Sequence, residues 1–132
     1  MRWVLGLVGW LAVAGCANND CGSGPVTTRE LVTGTGAEAV ATSFVTVHFI
    51  AFDSQGFPFS QSYGGPPAEF NLSGTDAEFI FGRPGRAIAT AVLGMKVGGQ
   101  RDATLPPDQA FGSDYPSSCQ PIRYTLELVA VD

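Results

Sequence analysis

Few side chains in this 132-residue sequence could make or break bonds. His48 is the only histidine, and Cys16, Cys21 and Cys119 are the only cysteines. A Ser-His-Asp triad or a Cys-His pair would have to be built around His48, and no motif supports one. The cysteines and the histidine lack metal-ligand spacing, so no metal is expected. Asp102 and Asp108 flank Pro106-Pro107 and read as surface charges rather than paired catalytic carboxylates. Gly34-Thr35-Gly36 has no third glycine and no following Gly-Lys-Ser/Thr, so it is a turn rather than a phosphate loop. The most informative stretch is Leu93 to Gly112, LGMKVGGQRDATLPPDQAFG. It joins the end of an apolar helix, a Gly-Gly turn, an alternating strand, a Pro-Pro pair and an aromatic-Gly pair.

The surrounding elements follow from periodicity. Phe44 to Phe52 (FVTVHFIAF) alternates, with Val45, Val47 and Phe49 on one face, and is expected to be a strand. Asp53-Ser54-Gln55-Gly56 is a turn, and Phe57-Pro58-Phe59 resumes an extended segment. Gln61 to Pro67 is a loop. Short strands are expected around Leu31-Val32, Phe70-Leu72 and Phe79-Phe81. Arg86 to Leu93 places Ala87, Ile88, Ala91 and Val92 at helical spacing, with Pro84 near its start and Gly94 as its C-terminal cap. Gln100 to Leu105 and Ile122 to Val131 alternate again, the latter with Ile122, Tyr124, Leu126 and Leu128 on one face. The expected fold class is α+β: a curved, mostly antiparallel sheet wrapped on one short helix.

Composition narrows the partners. Acidic residues outnumber basic ones twelve to seven, which argues against nucleic acid. Lys96 is the only lysine, so there is no polybasic membrane patch. Residues 1–15 read as a signal segment: Arg2 is followed by the apolar run Trp3–Gly15, shorter than the ~20 residues that span a bilayer. The run ends Val13-Ala14-Gly15-Cys16, which resembles the bacterial lipoprotein signal. That resemblance implies cleavage before Cys16, lipid on its sulfur and anchoring to the cell envelope. Ala17 after the cysteine leans toward the outer membrane. The alternative is a plain secretory signal followed by an unmodified cysteine. Residues 16–29 are small and polar and read as a flexible tether, leaving 30–132 as the globular domain. In an oxidising compartment Cys21 and Cys119 read as a disulfide pair. It would close a loop worth on the order of 4–5 kcal/mol in the chain-entropy treatment. The alternative is two free thiols too far apart to meet.

From residue 30 onward the sequence resembles the FKBP family of peptidyl-prolyl isomerases, most closely over Gly34–Phe59 and Leu93–Leu128. Val47-His48-Phe49 resembles the family's Val-His-Tyr strand, which puts Phe49 at a pocket tyrosine. Phe59-Ser60 falls on the family's Phe-Asp pair. Phe111, in Ala110-Phe111-Gly112, falls on the Ala-Tyr-Gly tyrosine, and Tyr124 on the strand phenylalanine that lines the pocket. Ile88 falls on the pocket floor, and Phe79-Ile80 offers an alternative for the Val-Ile pair bordering the site. The resemblance thus assigns Phe49, Phe59, Ser60, Ile88, Phe111 and Tyr124 to the site. Three departures remove polar groups: Ser60 for aspartate, and Phe49 and Phe111 for tyrosines. The segment Gly112 to Pro121 is shorter than the family's loop over the pocket, and Tyr115 and Pro116 stand where replacement contacts would fall.

The resemblance implies an isomerase of X–Pro bonds that needs no nucleophile, metal or cofactor, its function residing in the shape and polarity of a cavity. Its partners would be proline-containing polypeptides of exported proteins, and macrolide ligands. The polar losses imply slow turnover. The competing readings are a proline-binding or chaperone module on the same fold, with little or no turnover, and an envelope lipoprotein with a structural role. Without the family pattern, Phe49, Phe59 and Tyr124 would read simply as core.

Overall fold

The computed structural model describes residues 21–74, 86–114 and 116–132. The alternating segments form strands β1 (Thr27–Val32), β2 (Phe44–Phe52), β3 (Pro58–Gln61), β4 (Ala68–Asn71), β5 (Gln100–Leu105) and β6 (Ile122–Val131). They make a six-stranded sheet in the order β1-β5-β6-β2-β3, with β4 also pairing with β2. Every strand pairing is antiparallel. Two short strands divide one edge of β2 between them: β4 lies opposite Phe44–Val47 and β3 opposite Ile50–Phe52.

The period-two pattern decides which face is dry. Val45, Val47, Phe49 and Ala51 of β2 and Ile122, Tyr124, Leu126 and Leu128 of β6 are all buried. The residues between them are half-buried on the opposite face. Helix α1 (Arg86–Val92) closes over the dry face, burying Ala87, Ile88, Ala91 and Val92. Burying each large aliphatic side chain stabilises the fold by roughly 1.5–3 kcal/mol, so this layer supplies much of the driving force. Gly94, at φ +86°, ends the helix, a conformation that residues with a Cβ rarely adopt. Arg101 enters the same face from β5. Its guanidinium donates to the carbonyls of Ala91 and Leu93 at 2.7 and 2.9 Å, satisfying groups the helix end leaves open.

Two differences from the sequence expectation have physical causes. The tether expected over 16–29 ends earlier, because Thr27, Thr28 and Arg29 pair with Thr104, Ala103 and Asp102 of β5. Small polar residues gave no hydrophobic signal there, and backbone hydrogen bonds to a strand edge do not require one. The helix is one residue shorter than expected: Leu93 follows its last turn and is 43% exposed. The strand expected at Phe79-Phe81 and the helix start at Pro84 lie outside the described residues.

Candidate active site

Tyr124 stands between two alanines. Its cross-strand partners are Ala51 on β2 and Ala103 on β5, whose small side chains leave room for the ring on the dry face. Phe49 meets that ring edge-on, with centroids 6.2 Å apart and planes at 63°, a favoured aromatic geometry. Burial pushes the Tyr124 hydroxyl well above the usual tyrosine range, so it stays protonated at any physiological pH. Ile88 comes from α1 and belongs to the same buried cluster.

Phe59 reaches this cluster through a break in the ladder. Phe52 pairs with Pro58 and Ala51 with Ser60, so Phe59 is an extra residue opposite the Ala51/Phe52 step. Such bulges re-aim side chains, and Phe59 packs, half-buried, against the core. Ser60, next to it, is exposed. Phe111 arrives from the opposite side of the sequence. Strand β5 ends at Leu105, Pro106 leads into a 3₁₀ turn over Pro107–Gln109, and the chain reverses with Gly112 N–H donating to Pro107 O at 2.7 Å. The Phe111 ring is half-buried on the same cluster, and its N–H donates to the Ser117 hydroxyl at 3.2 Å.

Phe49, Ile88 and Tyr124 therefore belong to the one hydrophobic core and Phe59 and Phe111 pack against it, although they come from widely separated parts of the chain. They divide by depth. Phe49, Ile88 and Tyr124 are sealed at 6, 0 and 1% exposure, whereas Phe59 and Phe111 keep apolar edges at the surface, with Ser60 beside Phe59. Buried side chains and half-buried aromatic edges thus occur side by side among the residues the resemblance assigns. Phe79-Ile80, assigned to its border, and Tyr115, in the loop beyond Phe111, lie outside the described residues, as does Cys16. Cys21 and Cys119 are joined as a disulfide. A separate cleft of about 280 Å³, lined by Ala41, Thr42, Leu72, Ser73, Ala89, Thr90 and Leu93, holds none of the six assigned residues.

Alternative chemistries gain little from the geometry. His48 lies on the half-buried face of β2, stacked on Tyr63 with centroids 4.6 Å apart. Its Nδ1 is 2.8 Å from the Ser62 hydroxyl, which also accepts the Phe49 N–H. That hydroxyl is engaged in holding β2 rather than free to attack. Tyr63 in turn donates to Glu127 at 2.6 Å. Among the described residues no cluster of three metal-ligating side chains occurs, and no helix is long and apolar enough to cross a membrane. Sequence reasoning missed Ser117 as the acceptor for the Phe111 amide. A serine in a Pro-Ser-Ser-Cys turn carries no signal for that role.

Comparison with known proteins agrees with this architecture. A sequence model of the FKBP-type peptidyl-prolyl cis-trans isomerase family matches residues 36–129. The chain belongs to the FKBP family. It is 33% identical over 106 residues to a probable FK506-binding protein of Corynebacterium glutamicum, covering 76% of this chain and 82% of that protein. It is 32% identical over 111 residues to the chloroplastic peptidyl-prolyl cis-trans isomerase FKBP16-4 of Arabidopsis thaliana, covering 77% of this chain but 46% of that protein. Among solved structures, the putative peptidyl-prolyl isomerase FKBP12 of Mycobacterium tuberculosis superposes with a TM-score of 0.59 at 27% identity, covering 81% of this chain and 84% of that one. FkpA of Escherichia coli shares the fold, with a TM-score of 0.64 at 21% identity over 81% of this chain and 48% of that one. The FKBP match includes β2, β3, α1, the Phe111 loop and most of β6, the elements that carry Phe49, Phe59, Ile88, Phe111 and Tyr124.

Proposed function

We propose that this FKBP-type isomerase acts on X–Pro bonds of exported proteins, and that Phe49, Phe59, Ile88, Phe111 and Tyr124 form its proline-binding surface with Ser60 at the edge. The observation that carries the site assignment is the shared packing of five apolar side chains, from three strands, the helix and one loop, at the positions where the FKBP pattern has its pocket.

The chemistry asks little of a protein. Rotation about a peptide bond meets a barrier of roughly 18–20 kcal/mol because resonance must be lost. The two X–Pro isomers lie close in energy, yet exchange takes tens of seconds or longer. In the twisted transition state the carbonyl is less polar than in the planar amide. A dry, aromatic surface disfavours the planar amide relative to that state. Rings fixed by a β-sheet also favour one twisted geometry, which is differential binding of the transition state. Phe59 and Phe111 would grip the prolyl ring, with Tyr124, Phe49 and Ile88 excluding water from below. Ser60, Phe49 and Phe111 replace groups able to hydrogen-bond a substrate, which favours slow turnover and, as a second reading, a module that binds proline segments with little turnover. Macrolides that mimic a prolyl segment would use the same surface.

We further propose lipid attachment at Cys16, which would hold the domain at the cell envelope, and a role in folding exported clients. The decisive test is NMR exchange on a proline tetrapeptide with the full chain. Acceleration that falls at least about tenfold in kcat/KM on Phe59→Ala supports the enzyme, the size expected when a positioning contact is lost. Peptide binding without acceleration supports the binding module, and absence of both refutes the site.

A further inference from the structure

The segment preceding β1 is fastened to the loop that carries Phe111, although some ninety positions separate them in sequence. The Cys21–Cys119 disulfide, between residues 98 apart, is one link. The Gln109 side chain, donating to the Gly24 carbonyl at 2.7 Å, is a second. Val26 packs against the core between these ties and β1. Within the loop, the Ser117 hydroxyl, 2% exposed at the residue level, accepts the Phe111 N–H, and Cys119 N–H donates to Gly112 O at 2.9 Å. Ser118 and Cys119 both hold positive φ, 50° and 68°. Residues with a Cβ take this conformation at a cost and keep it where the surroundings enforce it. The disulfide grips the second of the two.

We infer that residues 21–26 are a brace that positions the Phe111 wall of the site, with Cys21, Cys119, Gln109 and Ser117 as positioning residues, and that the brace is released by reduction. The inference rests on the site assignment above. Cys119 is exposed, so the bond is open to a thiolate. With a dithiol reductant, one thiolate attacks Sγ of Cys119 and expels the Cys21 thiolate. The second thiol of the reductant then displaces Cys119, closing the reductant's own disulfide. Two electrons and two protons pass to the protein, leaving two thiols. Freed of its grip, the 118–119 turn relaxes to ordinary backbone angles, and Ser117 and the Phe111 amide it holds move with it.

The test compares the full chain oxidised, reduced with dithiothreitol and reoxidised, together with a Cys21→Ser/Cys119→Ser double variant and Gln109→Ala. Two readouts are taken: kcat and KM by NMR exchange on a proline tetrapeptide, and backbone amide exchange by mass spectrometry. Reduction should raise KM roughly tenfold with kcat little changed, since displacing a contact by about 1 Å can cost up to a hundredfold. Protection should fall in residues 107–121 and persist in β2 and β6. Reoxidation should restore both, the double variant should match the reduced form and ignore dithiothreitol, and Gln109→Ala should give a smaller rise. Equal KM in both redox states, or protection lost equally in β2 and β6, overturns the brace. If no state turns over peptide, the isomerase reading fails, while selective loss of protection at 107–121 still supports the brace.

Discussion

Phe59 and Ser60 show how a single ladder irregularity shapes the proposed site. Without the extra residue opposite Ala51/Phe52, Phe59 would take a regular place in the ladder and lose the aim the bulge gives it. The polar losses at this scale are testable by restoring them. Ser60→Asp together with Phe111→Tyr returns hydrogen-bonding groups to the rim. It is expected to raise kcat/KM or macrolide affinity several-fold, since a hydrogen bond to a charged or polar partner contributes about 0.5–3 kcal/mol. Unchanged kinetics in an active enzyme would show that the rim works by shape alone. Tyr63 supplies a pH marker on the other face. Partial burial, its hydrogen bond to Glu127 and the charge of Glu127 push its hydroxyl from 10.0 up to about 12. A pKa raised on folding means that the stabilisation is fully present below about pH 10 and is lost as pH rises through about 12. Tyrosinate absorbance should therefore titrate late, and Tyr63→Phe should remove that transition and flatten the decline in stability between those pH values.

Among the elements, the Gly34–Gly36 turn approaches the segment after α1 closely. Thr35 and Gly36 both donate to the Val97 carbonyl, and a Cβ on Gly34 would lie 2.2 Å from Lys96 O and 2.6 Å from Gly99 N. Those neighbours are backbone atoms, which cannot rotate away. Gly34→Ala should destabilise the fold by about 3 kcal/mol or more, at the upper end of overpacking costs. Gly65, whose added Cβ would meet Ser62 O at an ordinary 3.9 Å, serves as control, and its change to alanine should stay within about 0.5 kcal/mol. Chemical denaturation of the two variants checks both values. The helix is tied at its other dimension by Arg101, whose contacts to Ala91, Leu93 and Glu30 knit α1, β5 and β1 together.

For the molecule as a whole, sheet and helix make a platform whose N-terminal segment is tied to the loop around Gln109 and Cys119 before it enters β1. A lipid at Cys16 would therefore place the anchor five residues before the disulfide. Cys16→Ser should abolish the lipid mass increment and release the protein from membranes, whereas an unaltered mass and a soluble wild type would refute the anchor. Much of this organisation was readable in the chain. Alternation marked β2, β5 and β6, and helical spacing with Gly94 marked α1, because burial of one face leaves a local period in the sequence; the Phe111 loop was marked only by the resemblance of Ala-Phe-Gly to the FKBP pattern. Other features had no such imprint. The edge strand at Thr27–Arg29 is polar on both faces, the Gln109–Gly24 tie joins residues 85 positions apart, and the pairing of Ser117 with Phe111 depends on how the loop folds back. Local periodicity was enough to place β2, β5, β6 and α1 and to pick out their buried faces. The depth of each ring and the ties between residues 21–24 and the 109–119 loop came from the folded chain, since both depend on long-range contacts that no local pattern records.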